Sequence, residues 1–277
     1  MKKLSTMPYV VWSLLFIIAP LIMIVYFALT KTDVNGNIYF TLETFLGLFT
    51  FKDPVVVKAL IRSFVLAIQT TIICLIIGYP VAYILTKYDV KTEKMLVLLL
   101  VLPMWMNSLL RTYAIKFILS PGGLIARIFE RFGIVAPLML YNEKAVLFGM
   151  VYDFLPFMII PIYTIIKKID KNLIYAAQDL GADMAIIFRK IIIPLSIPGI
   201  ITGVNMTFMP SVSTFVISQL LGGGKADMIG NLIEQQFTVT QNWNFGASLS
   251  LLLMILIIIS TWILNKFDYE NEETSLW

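Results

Sequence analysis

Apolar residues dominate six stretches of the chain, and polar residues collect in the segments between them. The stretches cover residues 8–30, 63–86, 95–119, 145–166, 194–218 and 246–265. Each one meets or approaches the roughly 20 predominantly apolar residues that a helix needs to cross the hydrocarbon core of a membrane. The pattern predicts an all-α membrane protein with six transmembrane helices, in a single domain over residues 1–277.

Lys and Arg are distributed unevenly between the segments that join these stretches. Per residue of sequence, two segments contain about twice as many Lys and Arg as the other three. The two rich segments are 87–94 and 167–193, and the three poorer ones are 31–62, 111–144 and 219–245. Because positive residues accumulate in cytoplasmic loops, we predict that the rich segments and both termini face the cytoplasm of a bacterial cell, from its inner or plasma membrane.

The composition narrows the possible chemistry. The chain is 59% hydrophobic and its mean hydropathy is +0.87, which is more apolar surface than a soluble domain can bury. It has no His, and its single Cys74 lies in an apolar run, so no imidazole base, His-ligated metal or internal disulfide is available. We therefore expect neither an enzyme nor a metal site. The net charge of +4 is modest and does not indicate a nucleic-acid partner.

Hydroxyl side chains follow one face of the fifth stretch. They recur at i, i+4, i+7 and i+11, at Thr207, Ser211, Thr214 and Ser218. The same stretch contains several prolines, each of which removes a backbone hydrogen bond that neighbours or water in a cavity must replace. We predict that this face lines a solute pathway. Packing between helices through small hydroxyl residues is the alternative.

Asp153 lies inside the fourth stretch, where a charged side chain costs about 2.5–3.5 kcal/mol near the helix centre. It must therefore face a partner or a cavity. With the rings of Trp105 and Tyr152, its carboxylate offers a binding place for a cationic solute. The alternative is an ion pair with Arg111 that locks two helices together, and both interpretations can hold. Glu234, in an outer segment, is predicted to meet the solute on entry, with a solvated loop carboxylate as the alternative.

The segment 167–193 contains the signals of two short cytoplasmic helices. Asn172 can cap a first helix, Gly181 can end it with a positive φ, and Asp183 can cap a second helix that runs to Pro194. The first helix carries small residues that allow another protein to approach closely. An amphipathic linker lying on the lipid surface is the alternative.

This segment also matches the pattern of a known family. The matching residues are Tyr175-Ala176-Ala177 and, after three intervening residues, Gly181-Ala182, followed by Phe188, Ile191, Pro194, Pro198, Gly199 and Ile200. The pattern resembles the EAA loop of ABC importer permeases, which inserts into a groove on the ATPase subunit. The resemblance implies that the residues coupled to the ATPase are Tyr175, Ala176, Ala177, Asp179, Gly181 and Ala182. Tyr175 stands where the family usually has Glu, so no salt bridge through that Glu is implied.

Further stretches resemble the first, B-type permease of spermidine/putrescine importers. They are LPMWMNSLLRTY at 102–113, LPFM at 155–158, and LGGGK at 221–225 with MIGNLI at 228–233. The resemblance extends over about residues 9–263 and implies a type I ABC importer permease fold with a polyamine as solute. It implies as partners a second homologous permease, two copies of an ATPase and an extracytoplasmic solute-binding protein. ATP and Mg²⁺ would be bound by the ATPase, and the chain itself would bind no cofactor.

Together these arguments give one list of candidate pathway residues, which includes Asn107 of the 102–113 motif. The list is Trp105, Asn107, Tyr152, Asp153, Thr207, Ser211, Thr214 and Glu234. Two other functions remain open. A permease of the same family could carry another solute, since Arg111 and Arg127 could serve an anion. A transporter driven by an ion gradient could use the same polar groups, but it leaves the 175–182 pattern unexplained.

Overall fold

The structure of the chain is a computed structural model that describes residues 7–32, 38–49, 53–135 and 138–274. For residues 32, 49, 265 and 267–274 it describes the backbone alone. Within these ranges the helices are α1 (Met7–Ala28), α2 (Glu43–Phe49), α3 (Pro54–Leu85), α4 (Val90–Val101), α5 (Ser108–Leu119), α6 (Leu124–Arg131), α7 (Glu143–Lys168), α8 (Lys171–Asp179), α9 (Met184–Ser213), α10 (Ile229–Thr238) and α11 (Trp243–Thr274). Two short strands, β1 (Thr30–Thr32) and β2 (Ile38–Phe40), pair antiparallel.

Five of these helices are long and apolar enough to cross a membrane, namely α1, α3, α7, α9 and the part of α11 up to Leu264. The third predicted span, 95–119, is not one straight helix. Helix α4 continues through a 3₁₀ turn to Trp105, and α5 starts at Ser108 in a direction that differs by 95°. Counted as one broken span, this pair brings the number of spans to six.

The bend of the third span has a local cause. Asn107 has an extended backbone, and its side-chain oxygen accepts a hydrogen bond from the Leu109 backbone N–H at 2.8 Å. This is how a helix N-cap works, so the chain ends one helix and starts another within two residues. We term α4, its 3₁₀ turn and α5 the broken span.

The fifth span begins ten residues earlier than predicted. Asp183 caps α9 as expected, accepting a hydrogen bond from the Ile186 N–H at 2.7 Å. However, no helix ends at Pro194: a π-helical turn over Phe188–Ile192 precedes it, and the helix continues to Ser213. Pro194 then stands in the first turn of the following α-helical part, where its missing N–H is tolerated.

Contacts group the chain into two compact units. The first contains the described residues up to Ile61 together with Ile229–Ile259. In it α1 and α11 meet, since the side-chain amide of Asn244 donates to the carbonyl oxygens of Phe27 and Thr30 at 3.0 and 2.7 Å. The single domain over residues 1–277 stays a prediction.

The second unit contains Arg62–Met228 and the described residues from Ser260 on. Its central contact is between α7 and α9, which approach at glycines. A Cβ added to Gly203 would lie 2.9 Å from the sulfur and 3.1 Å from the carbonyl oxygen of Met158, so a side chain has no room there. Small residues that let helix backbones approach are typical of membrane helix packing. The glycines of the fifth span therefore serve packing.

The two Lys/Arg-rich segments lie together at one end of this unit. The end of α3, the start of α4, the end of α7 and helix α8 all line one cavity of about 450 Å³. This is the arrangement that the predicted topology requires, and we refer to this end as the cytoplasmic end.

Candidate functional site

The cytoplasmic segment forms a short helix between two spans, close to what the sequence predicts. The predicted cap, Asn172, is wrong: Asp170 is the N-cap, and its carboxylate accepts a hydrogen bond from the Asn172 backbone N–H at 2.9 Å. A carboxylate at a helix N-terminus is also favoured by the helix dipole. Helix α8 therefore starts at Lys171. Gly181 follows it with φ +82°, the positive φ that the sequence predicts.

The two sides of α8 differ in what they contact. Ile174 and Ala177 face inward and pack against a buried cluster that includes Ile187 and Ile192. The outward side exposes Tyr175 and Ala176, together with Asp179 and Gly181 beyond them. Ala177 and the half-buried Ala182 thus support α8 from within the chain, and of the two predicted small surface residues only Ala176 is exposed.

Sequence reasoning missed two apolar residues on this surface. Leu180 is 89% exposed and Leu173 is 50% exposed. Their signal was their spacing of seven residues, which places both on one side of a helix. An apolar surface of this kind on a cytoplasmic helix is typical of a docking site for another protein. We term Leu173, Tyr175, Ala176 and Leu180 the α8 surface.

The intramembrane ion pair that the sequence offered as an alternative is present. Arg111 Nε of α5 lies 3.3 Å from Asp153 Oδ1 of α7, and the two side chains are 9% and 5% exposed. The geometry of this contact is not that of a hydrogen bond. The pair connects the broken span to α7, and it balances the charge of Asp153.

The two aromatic residues of the predicted pathway lie on the surface of the chain. Trp105 is largely exposed and Tyr152 is half-exposed. Asn107, in contrast, is occupied as the N-cap of α5. The rings of Trp105 and Tyr152 are thus not covered by this chain, and Asn107 fixes the bend that follows Trp105.

The hydroxyl stripe predicted for the fifth span is wrong in extent. Thr207 and Ser211 are fully buried on α9, and the Ser211 hydroxyl donates to the Thr207 carbonyl at 2.6 Å. The helix ends at Ser213, because Thr214 takes an extended backbone, which its β-branched side chain favours. Ser218 belongs to a separate π-helical turn. Thr207 and Ser211 therefore pack within this chain, and Thr214 leaves their face.

Glu234 belongs to α10 in the first unit. Its carboxylate accepts a hydrogen bond from the Thr238 hydroxyl at 3.0 Å, one turn further along the same helix. A role in solute entry stays a prediction. Within the ranges that the structure describes, no group of three or more His, Cys, Asp and Glu residues is placed to hold a metal ion.

A polar cluster at the cytoplasmic end was not foreseen at all. The buried carboxylate of Glu93 on α4 accepts a hydrogen bond from the Tyr163 hydroxyl at 2.7 Å and lies 2.8 Å from Lys167 Nζ. Lys167 also donates to the Tyr163 hydroxyl at 3.0 Å. Glu93 stands 70 residues or more from both partners in sequence, so no local pattern marks the cluster. Asp89 caps α4 beside it, and hydrogen bonds from the side chain and backbone of Thr92 hold the pKa of Asp89 below its usual value.

With the fold and these polar groups described, the chain can be compared with known proteins. Residues 75–269 match the family described as binding-protein-dependent transport system inner membrane component. The chain belongs to this family. Its members are multi-pass inner-membrane permease subunits of ABC importers, in which a separate subunit is the ATPase, so the chain is a permease subunit and not an enzyme.

Individual relatives agree with this family. The chain is 38% identical over 266 residues to the spermidine/putrescine transport system permease protein PotB of Escherichia coli (strain K12), covering 92% of this chain and 96% of that protein. It is 37% identical over 263 residues to the protein of the same name from Haemophilus influenzae, covering 92% of this chain and 91% of that protein.

Solved structures show the same fold. A bacterial ABC transporter that imports the acidic polysaccharide alginate matches with a TM-score of 0.82 at 16% identity, over 97% of this chain and 94% of that one. A second alginate transporter structure, in complex with an alginate pentasaccharide-bound periplasmic protein, matches with a TM-score of 0.75 at 17% identity, over 95% and 92%. The predicted ABC importer permease fold is therefore confirmed.

Proposed function

We propose that this chain is a membrane subunit of an ATP-driven importer of spermidine or putrescine. The observation that carries the proposal is the 38% identity to a spermidine/putrescine permease over 92% of the chain. The subunit works beside a second homologous permease, two copies of an ATPase that bind ATP and Mg²⁺, and an extracytoplasmic solute-binding protein. ATP binding closes the ATPase pair, and the closure switches the pathway between inward-facing and outward-facing states.

The α8 surface is the proposed contact with the ATPase. Its apolar residues Leu173, Tyr175 and Leu180 are at least half exposed, whereas Ile174 and Ala177 pack against the chain's own core. Gly181 and Ala182 set the turn that follows, and Asp179 lies at the exposed end of the helix. Tyr175 contributes ring area where the family usually has a carboxylate, so the contact depends on shape and apolar area.

The solute contacts are proposed around the bend of the broken span. The exposed ring of Trp105 and the half-exposed ring of Tyr152 can hold an ammonium group over their faces. Asp153, beside Tyr152, is paired with Arg111, so a cationic solute would compete with Arg111 for this carboxylate. The pair also takes up the charge of Arg111, which disfavours the alternative of an anionic solute. The proposal gives a smaller part in solute contact to the four other candidates, which are Thr207, Ser211, Thr214 and Glu234.

The test is uptake of radiolabelled spermidine and putrescine into proteoliposomes that hold the complete transporter. We expect ATP-dependent uptake of at least one polyamine, and a loss of a few-fold for Trp105→Ala, as a cation–π contact of about 1 kcal/mol implies. Phe117→Ala is the matched control, because Phe117 is an equally exposed ring on the same broken span. Transport of an anion or an amino acid, with no polyamine uptake by the wild-type complex, would contradict the proposal.

A further inference from the structure

Glu93, Tyr163 and Lys167 form a closed triangle of polar contacts. Each of the three groups touches the other two, at 2.7, 2.8 and 3.0 Å. The Glu93 side chain is only 5% exposed, whereas that of Lys167 is 47% exposed. A carboxylate is rarely enclosed unless it is paired, so this triangle is a built connection rather than an accidental surface contact.

The triangle joins the end of α7, which leads directly into α8, to the start of α4. Tyr163 and Lys167 stand on the last two turns of α7, and Asp170 caps α8 only three residues after Lys167. Glu93 stands in the first turn of α4, which Asp89 caps. The connection therefore runs from the base of the cytoplasmic helix to the start of the broken span.

A cavity lies next to this connection. Its volume is about 450 Å³, and Glu93 and Lys167 line it. The other lining residues include Tyr83 at the end of α3, Lys87 just beyond it, and Ile174 and Tyr175 of α8. Ile174 still packs on the buried cluster, and the cavity leaves open space between α8, the end of α3 and the start of α4. The triangle bounds the cavity and provides a polar link from the base of α8 to α4.

A second polar link joins the same two spans further along. Arg111 of α5 pairs with Asp153 of α7, and Asp153 lies 14 residues before Lys167. At 1.5 Å per residue the two links are about 21 Å apart along α7. The broken span is therefore attached to α7 both near its start and after its bend.

We propose that Glu93 is a positioning residue for coupling: through Tyr163 and Lys167 it transmits movement of α8 and the end of α7 to the broken span. The proposal rests on the proposed docking of the α8 surface on the ATPase. When the ATPase displaces α8, the base of α7 moves with it, and the triangle pulls the start of α4 along. Without the triangle, α8 moves into the cavity and ATP is hydrolysed with less transport.

The test measures ATP hydrolysis and solute uptake together in proteoliposomes that contain the complete transporter and its binding protein. We expect Glu93→Gln, which keeps the shape but loses the charge, to raise the ATP hydrolysed per solute imported about fivefold or more, the usual lower range of coupling effects. Glu93→Asp, which keeps the charge, should restore part of the coupling. Glu130→Gln, at an exposed position of α6, is the control and should leave the ratio unchanged.

The ratio separates coupling from folding, since a loss of active protein lowers uptake and hydrolysis equally. An unchanged ratio in an assembled Glu93→Gln complex overturns the proposal. Should that variant fail to assemble, the double variant Tyr163→Phe with Lys167→Met decides instead, because it removes both contacts of Glu93. Thr164→Val with Lys168→Met is its control: a raised ratio supports the proposal and an unchanged one overturns it. If the wild type imports no polyamine, the proposed solute fails alone, and the coupling is then scored by how strongly the binding protein stimulates ATP hydrolysis.

Discussion

The two polar links between the broken span and α7 are built on different principles. Arg111 and Asp153 are both enclosed, and their contact at 3.3 Å lacks hydrogen-bond geometry. Glu93 is enclosed but receives two donors, and its partner Lys167 reaches solvent. A buried pair with few additional hydrogen bonds recovers little of the cost of removing its charges from water. In the first link, each charge thus depends on the single opposite charge beside it. In the second link, the carboxylate of Glu93 is stabilised by two groups, Tyr163 and Lys167.

The largest effect is expected from breaking the first link on one side. Arg111→Met leaves the Asp153 carboxylate enclosed without a countercharge, which costs about 3 kcal/mol or more. Thermal unfolding of the purified complex in detergent measures the loss.

The double variant Arg111→Met with Asp153→Leu sharpens this result. Replacing both charges by apolar side chains of similar size removes the uncompensated carboxylate. The stability of the double variant should therefore return toward that of the wild type. A double variant that is less stable than Arg111→Met would show that the pair is not the cause of the loss.

A smaller effect is expected from Lys167→Met in the second link. Glu93 keeps the Tyr163 hydroxyl as a donor, and the contact with Lys167 is already screened by solvent. The melting temperature should therefore fall less than for Arg111→Met. Lys168→Met, at the exposed neighbouring position, is the control. Equal losses for Lys167→Met and Arg111→Met would remove the distinction between the links.

The smallest effect is expected from salt. Raising the ionic strength from 0.1 to 1 M shortens the screening length from about 10 to about 3 Å, and exposed charges respond much more than enclosed ones. The stability difference between the wild type and Lys167→Met should shrink with salt, measured by the same thermal unfolding. The difference for Arg111→Met should stay constant, and a salt-dependent difference there would mean that water reaches the first link.

The spans could be predicted from the sequence because membrane helices show in apolar length alone. Their interruptions could not, since hydropathy stays high through the bend of the third span and says nothing about direction. The local signals were Pro103, which opens the 3₁₀ turn, and Asn107, a cap residue inside an apolar run. At the start of the fifth span, Pro194 suggested the end of one helix, but the chain continues through it as one helix that also holds Arg189 and Lys190.

The polar site was predicted only where burial made a charge conspicuous. Asp153 stood out inside an apolar stretch, and Arg111 was a natural partner. Glu93 lies in a segment that contains many charged residues, so one more charge there is not conspicuous. Only the folded arrangement brings it to Lys167. The outward side of α8 was found through family resemblance, and its apolar residues Leu173 and Leu180 required knowledge of which side packs inward.

Helix α1 has a consequence for how the chain is made. Among its residues only Ala28 is buried, while the mean hydropathy of its most apolar part is 2.6. A segment so apolar enters the bilayer without help from other helices. As the first of these spans to leave the ribosome, α1 can tether the growing chain before any later span exists. The remaining helices then assemble beside an end that is already anchored.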